Sequence, residues 1–314
     1  MPPDDSNPLA LAQPIAPSRL IVGPLALLFM GTVWGLGFTL AKIAGLNGAH
    51  PLGLIIWETI GSGVLLLLVC AALGRYPRRR WIHLRNYLFN GLLGFTIPGP
   101  LLFWAAPHLP VAVLTLMIPM APLLTYVLIV AMRAERFDLV RALGVLAGFV
   151  GVALIVLPQG SLPEAGQVGW VLLALGASTF YAVQNVYIAL HTPPDTDALT
   201  QTTGMLLLGG LAAVPLAAAT DGFLWPDWPM SIAVQAATVM LLINAMLMFL
   251  YVWVIRTLGA VFASLNANVI TLAGALWGWV IFAEAPSPWI WAAMVAMALG
   301  VALVTLRRAA PLVR

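Results

Sequence analysis

The chain has 314 residues, of which 62% are hydrophobic and only 8% charged, where an ordinary soluble chain carries about 25% charged residues. No soluble fold of this size hides so much apolar surface, so lipid is the expected solvent. The net charge of +3 is scattered through short loops, which argues against a nucleic-acid partner, and a single cysteine, Cys70, rules out both a disulfide framework and a cysteine-ligated metal site.

In chain order, residues 1–19 are proline-rich and acidic ("MPPDDSNPLALAQPIAPS"). A signal peptide needs a basic start and a cleavage site after a short apolar core, so this stretch reads as a disordered cytoplasmic tail. A membrane helix needs about 20 mostly apolar residues. Reading between polar or proline-glycine breaks gives ten: 20–44, 52–74, 86–106, 109–132, 138–157, 167–190, 198–220, 233–256, 259–283 and 287–306. Residues 158–166 form an outer linker and 307–314 a cytoplasmic tail. The fold class is an all-α integral membrane protein.

Basic residues orient the helices. With the N-terminus inside, the cytoplasmic segments hold Arg19; Arg75, Arg78, Arg79, Arg80 and Arg85; Arg133, Arg136 and Arg141; Arg256; and Arg307, Arg308 and Arg314, which is 13 of the 14 basic residues. The outer loops hold Glu164, Asp221, Asp227 and Glu284 but no arginine. This positive-inside bias supports ten spans with both termini cytoplasmic. One loop fits poorly: "HTPPDTDA" (191–198) belongs inside but has no basic residue.

The two halves match. Slid back by 149 residues, Glu284 falls on Glu135, Trp253 on Trp104 and Gly300 on Gly151. Thr115, Pro119, Pro122 and Tyr126 fall on Ser264, Asn268, Thr271 and Ala275, a stripe at i, i+4, i+7 and i+11 on one helix face. Such a stripe of small, polar or proline residues is expected to face protein or a water-filled cavity. A shift of 147 lays "FYAVQNV" (180–186) over "VWGLGFT" (33–39). Each half, 20–157 and 167–306, therefore reads as a five-helix repeat. Five being odd, the second copy enters the membrane from the other side. The result is a pair of inverted repeats around a central cavity, an arrangement typical of secondary transporters.

The stretches "WGLGFTLAKIA" (34–44), "PLGL" (51–54), the fourth-span run ending in "AERFD" and the glycine-spaced "GVLAGFVGVALIV" (144–156) resemble the drug/metabolite transporter superfamily, in its EamA-like branch of bacterial inner-membrane exporters. The resemblance covers residues 20–306. It implies a ten-helix, two-repeat carrier exporting amino acids or related metabolites. Many such proteins carry an arginine in span two, where this chain reads "IIWETIG" with Glu58.

Lys42 and Glu58 are the charged residues expected within the apolar layer, each a functional candidate because a charge there costs about 2.5–3.5 kcal/mol on insertion scales. They read as a structural ion pair, or as a substrate-carboxylate contact (Lys42) and a proton site (Glu58). Trp34 and Phe38 share a face with Lys42 and line the cavity if it does; otherwise they are interfacial rings. Tyr181, Gln184 and Asn185 on span six, Asn244, Met248 and Tyr251 on span eight, and Asn266 and Asn268 on span nine serve either substrate or helix-to-helix hydrogen bonds. Pro98, Pro100, Pro119 and Pro122 are breaks, hinges or plain kinks. Glu135 and Glu284 are expected to cap or anchor the loop to the next helix without touching substrate.

Enzyme chemistry lacks its residues: the four histidines lie near loops, and neither an acidic cluster nor a G-x-x-x-x-G-K phosphate loop is present. No cofactor is expected, and neither is an enzyme. A channel would want a charged ring or filter, and a phosphate-ester exchanger several cavity cations. The expected function is a secondary exporter of small metabolites, amino acids foremost, by alternating access. The alternative is a proton-coupled exporter of cationic drugs anchored on Glu58.

Overall fold

The computed structural model describes residues 17–158, 160–258, 262–263 and 265–305. The expected tails lie outside these residues, except that Pro17 to Arg19 already belong to the first helix. The described residues form helices joined by short loops, with no strand among them. Segment one is α1 (Pro17–Leu46) and segment two α2 (Pro51–Ala72). Segment three joins α3 (Trp81–Gly91) through a π turn (Leu92–Thr96) to α4 (Pro98–Ala105). Segment four is α5 (Val111–Leu116) and α6 (Met120–Ala131). Then follow α7 (Leu139–Val156), α8 (Val168–His191), α9 (Ala198–Ala219) and α10 (Ile232–Leu258). Segments nine and ten are α11 (Asn266–Phe282) and α12 (Pro288–Thr305).

Among the described residues, nine helical stretches are long and apolar enough to cross a membrane, and α11, at 17 residues, is a shorter apolar helix. The expected start of segment nine at residue 259 falls outside the described residues. The ends of α11 still lie at opposite ends of the bundle. Phe262, just before it, packs on Gly23 near the start of α1, whereas Glu284, just after it, meets Lys42 near the end of α1 and Val111. Segment three starts at Trp81, five residues before the expected 86. Its polar residues find partners inside the protein: Asn86 Nδ2 donates to the His191 carbonyl at 3.2 Å and Asn90 Nδ2 to the Asn86 carbonyl at 2.8 Å. Hydropathy alone reads those side chains as loop.

Local chemistry sets the other boundaries. His50 Nδ1 accepts from Leu52 N at 3.2 Å, with Pro51 opening α2. Asp138 caps α7 through Val140 N and Arg141 N, and Asp197 caps α9 through Leu199 N and Thr200 N. Pro119 interrupts segment four between α5 and α6, and Pro98 follows the π turn of segment three; neither proline can donate the backbone bond a continuous helix needs.

The packing has a two-fold pattern. Segment one lies on nine and eight, six on four and three, two on seven and eight, three on seven, four on nine, and five on ten. Renumbering every segment n as n+5 leaves this set unchanged. One-on-nine becomes six-on-four, one-on-eight becomes six-on-three, two-on-eight becomes seven-on-three, and the remaining pairs map onto themselves. The self-paired five-on-ten crossing and the three-on-seven crossing both rest on glycines. A Cβ at Gly300 would sit 2.5 Å from the Gly144 carbonyl oxygen, and one at Gly91 would sit 2.7 Å from Gly209 Cα. Without a hydrophobic force to drive helices together in lipid, such close backbone approach supplies the dispersion contact. Thr115 and Thr271 seal the four-on-nine crossing, Thr271 Oγ1 donating to the Thr115 carbonyl at 3.3 Å. That part of the small-and-polar stripe faces protein, while Ser264 lies outside the described residues.

Gly300→Val and Gly144→Val should each cost about 1–3 kcal/mol by overpacking, read as a lowered unfolding temperature in detergent. Gly176→Ala should leave it unchanged or raise it, because nothing lies within 4 Å of a Cβ there.

Candidate functional site

The bundle has an arginine-rich end, where the 2–3, 4–5 and 6–7 loops lie, and an opposite end without arginine. At the arginine-free end Lys42, in the last turns of α1, is tied down from three sides. Its Nζ lies 2.6 Å from Glu284 Oε1 and donates to the Leu109 carbonyl at 2.7 Å, and it sits 5.0 Å from the centre of the Phe282 ring. The other carboxylate oxygen, Glu284 Oε2, accepts from Val111 N at 2.7 Å, capping the first turn of α5. Glu284 reaches back because Ala283 takes a left-handed conformation (φ 55°) and because Gly278 has no side chain. A Cβ at Gly278 would lie 2.6 Å from Glu284 Oε2.

This corrects two expectations. Lys42 does not pair with Glu58: α1 packs on α10 and α11 while α2 packs on α9 and α10, so the lysine faces Glu284. Glu284 is an anchor, but for segments one and four rather than for the helix that follows it. The sequence offered a weak signal for the pair, namely the one lysine of the chain and a lone glutamate at matching depth.

Deeper in, Glu58 lies seven residues into α2, about 10 Å from that end. It is surrounded by protein yet keeps partial accessibility, as expected of a side chain facing an internal space. Among the described residues its carboxylate has no ion-pair partner. Tyr181 of α8 is close enough to feel its charge and is likewise half-buried. Phe95, on the π turn, packs against both the apolar cluster that Phe38 and Tyr181 flank and the one that Trp34 flanks. Trp34 meets Tyr251 edge-on at 5.9 Å. Phe95 escaped notice in the sequence because a phenylalanine in an apolar run carries no mark until the helix is seen to bulge there.

The amides go different ways. Asn244 Nδ2 donates to Ser62 Oγ at 3.2 Å, and Ser62 Oγ donates to the Leu241 carbonyl at 3.0 Å and to the Glu58 carbonyl. This knits α10 to α2 directly below the carboxylate. Gln184 donates to the Asn90 carbonyl at 3.0 Å and Asn185 to Thr125 Oγ1 at 3.2 Å; both are helix ties, the latter at an exposed position. Met248 is packed with Leu66, Cys70 and Leu199. Asn268 is partly accessible, and the buried Asn266 Oδ1 has no partner among the described residues.

At the arginine-rich end Arg78 pairs with Asp195, Arg75 Nη1 lies 3.7 Å from Asp197, and the buried His83 Nε2 lies 3.5 Å from Asp195. The two arginines and two aspartates line a cavity of ≈ 280 Å³ together with Tyr87 and Thr200. The loop that looked wrong for its side, 191–198, is thus matched to the arginines by its own acids. Arg141 pairs with Glu135 and stacks 4.2 Å over the Tyr126 ring. No group of three metal-ligating side chains occurs among the described residues.

The sequence pattern of the EamA-like transporter family matches this chain twice, over residues 21–157 and 168–306. The chain belongs to the EamA-like transporter family. One relative, the "uncharacterized transporter YvbV" of Bacillus subtilis (strain 168), is 27% identical over 208 residues, 65% of each chain. Another, named a "probable terminal-alkyne amino-acid exporter" of Streptantibioticus cattleyicolor, is 28% identical over 163 residues, 52% of each chain. The matched regions thus span less than two-thirds of either relative. A solved protein crystal structure superposes with a TM-score of 0.61 over 92% of this chain and 97% of that one, at 18% identity, a likeness of fold alone. Family membership makes this a multi-pass membrane transporter, and its double match falls on the two groups of segments that the packing pattern exchanges.

Lys42→Met and Glu284→Gln should each lower the unfolding temperature, and the double variant should lose little more than the worse single one, a coupling of about 1–3 kcal/mol. Gly278→Ala should behave like the glutamate variant, since its methyl displaces the carboxylate.

Proposed function

We propose that this protein is a secondary carrier of the bacterial inner membrane that exports small amine-bearing metabolites, amino acids foremost, by alternating access. In this reading it crosses the membrane ten times as two inverted five-helix repeats around a central cavity, with the arginine-rich end and both termini in the cytoplasm. The exchange symmetry of the packing supports the repeats. The confinement of cross-loop contacts to loops of one parity supports ten crossings: Arg78 with Asp195 at one end, and Lys42 and Val111 with Glu284, Lys42 with Leu109, and Ser161 with Ser287 at the other.

The observation that carries the substrate reading is Glu58. It is the carboxylate left without a cationic partner among the described residues inside the bundle, and Tyr181 lies within reach of its charge. An unpartnered charge in such a site is kept for a ligand rather than for stability. Glu58 would hold a substrate ammonium group, Tyr181 would lend a hydroxyl, and Trp34, Phe38 and Phe95 would cover the apolar part. Lys42, already held by Glu284 and Leu109, is not the substrate-carboxylate contact in this arrangement. A relative's name as an amino-acid exporter agrees with the reading.

The same carboxylate supports a second reading, a proton-coupled exporter of cationic drugs, since a lone acid near an aromatic ring suits a permanent cation.

The test is flux in proteoliposomes loaded with labelled amino acids or with a cationic dye, with and without a pH gradient. Saturable amino-acid flux, lost in Glu58→Gln and little changed in KM by Lys42→Ala, is the expected result. Dye flux driven by the gradient and abolished in Glu58→Gln, with no amino-acid flux, would install the second reading. Activity that survives intact in Glu58→Gln would remove the carboxylate from both.

A further inference from the structure

The two ends of the bundle are tied differently: exposed charge pairs join the 2–3 and 6–7 loops at the arginine-rich end, whereas at the other end one shielded pair holds segment one itself. At the arginine-free end segment one is clamped. Lys42 bridges to Glu284 of the other repeat and to Leu109 of the 3–4 connection. Three residues on, Gly45 lies so close to that connection that a Cβ would come 2.5 Å from Pro107 Cγ. Ala41 and Ala44, on the turns around Lys42, are fully buried, and Trp277 Nε1 donates to the Thr32 carbonyl at 2.8 Å, holding segment nine along segment one.

The n-to-n+5 exchange maps segment one onto segment six, and the 147-residue offset that aligns them puts Ala189 where Lys42 stands. There the end is uncovered. Ile188, Ala189, Leu190 and His191 are all exposed, Ile188 at 38% and Leu190 at 42%. Four consecutive residues make more than one turn of helix, and that turn is held by neutral contacts, the Asn86 bond to the His191 carbonyl and the stacking of His191 on Tyr187. The position equivalent to Glu284 is Glu135, and it pairs with Arg141 of its own repeat. Two repeats of one fold thus carry a charge pair between them at one end and an alanine at the matching place at the other.

We infer that the Lys42–Glu284 pair is the latch of the outer gate, and that it biases the carrier to rest open toward its arginine-rich, cytoplasmic side. The inference rests on the alternating-access reading above. Swinging segment one away from segments four and nine breaks the ion pair, the Leu109 hydrogen bond and the cap on Val111 together, so outward opening requires all three to be replaced. Inward opening breaks no equivalent pair at position 189, because alanine has no charge to offer. A carrier biased in this way waits for substrate on the side from which it exports. It binds at the Glu58 level before the latch yields.

The experiment reads the two faces separately. A cysteine is placed at Phe38, one turn from Lys42 on the same face of α1; Cys70, fully buried, is the internal control. A membrane-impermeant maleimide is then applied to right-side-out and to inside-out vesicles. With Lys42 intact, labelling is expected from the arginine-rich face and slow from the other. Lys42→Met and, separately, Glu284→Gln (which keeps an acceptor for Val111 N) should raise labelling from the arginine-free face by about tenfold and lower it from the arginine-rich face, while Lys42→Arg should match the parent. Unchanged labelling from the arginine-free face in both charge-removing variants overturns the latch. So does a rise from both faces at once, which describes a loosened bundle, or parent labelling that is already equal from the two sides. Labelling needs no substrate, so absent flux with the expected labelling shift sinks the transport reading and spares the latch; robust flux with no shift does the reverse.

Discussion

Lipid offers no hydrogen bonds, and the polar groups inside this bundle find their partners within the protein, with a few exceptions among the described residues such as Asn266 Oδ1. Backbone groups are spent within helices, and small hydroxyls return to the carbonyl one turn back, as Thr59, Thr115, Thr203 and Thr271 do. Amides bridge helices: Asn244 to Ser62, Gln184 to Asn90, Asn185 to Thr125. Charges are paired or sent to the ends. Against this background Glu58 stands out as the carboxylate that α2 carries well inside the apolar layer without a cation to meet it among the described residues.

The same constraint explains where the helices are broken. A π turn at Leu92–Thr96 and a gap at Met117–Pro119 leave backbone groups that a continuous helix would use. Both are buried in protein, where replacements exist. Thr96 Oγ1 donates to the Gly209 carbonyl at 2.7 Å, and Ser178 Oγ donates to the Met117 carbonyl at 2.6 Å. The Met117 carbonyl is thus satisfied from segment six, while the π turn of segment three is tied to segment seven by a hydroxyl of its own. A break secured in this way lies where the two repeats meet, and is well placed to move when they move.

The ends of the bundle divide electrostatic labour. At the arginine-rich end, Arg75, Arg78, Asp195, Asp197 and His83 form a network with its arginines about half exposed, where solvent screening leaves each pair worth little. At the other end a single pair, Lys42 and Glu284, is mostly shielded, with side-chain exposures of 12% and 18%. Shielding makes that one contact matter more and makes its rupture costly, because each partner left behind is a half-buried charge. The proposed bias of the carrier follows from this difference in burial rather than from the number of charges.

Hydropathy by itself determined that the chain is a set of apolar helices of membrane-spanning length, because that property is a sum over many residues and survives error at any one of them. The 149-residue match of Glu135 with Glu284 and the family resemblance in "WGLGFTLAKIA" were legible for the same reason. What only the tertiary structure decided were the partnerships of single side chains. Lys42 lies near the end of one segment and Glu58 about 10 Å down the adjacent one, within reach of a long side chain, and pairing them was the natural reading of the sequence. Which way α1 is rotated against α11 instead gave the lysine to a glutamate 242 positions away and left Glu58 facing the interior. Rotation about a helix axis is set by packing against neighbours. In a segment apolar on nearly every face, no hydrophobic stripe records it in the sequence.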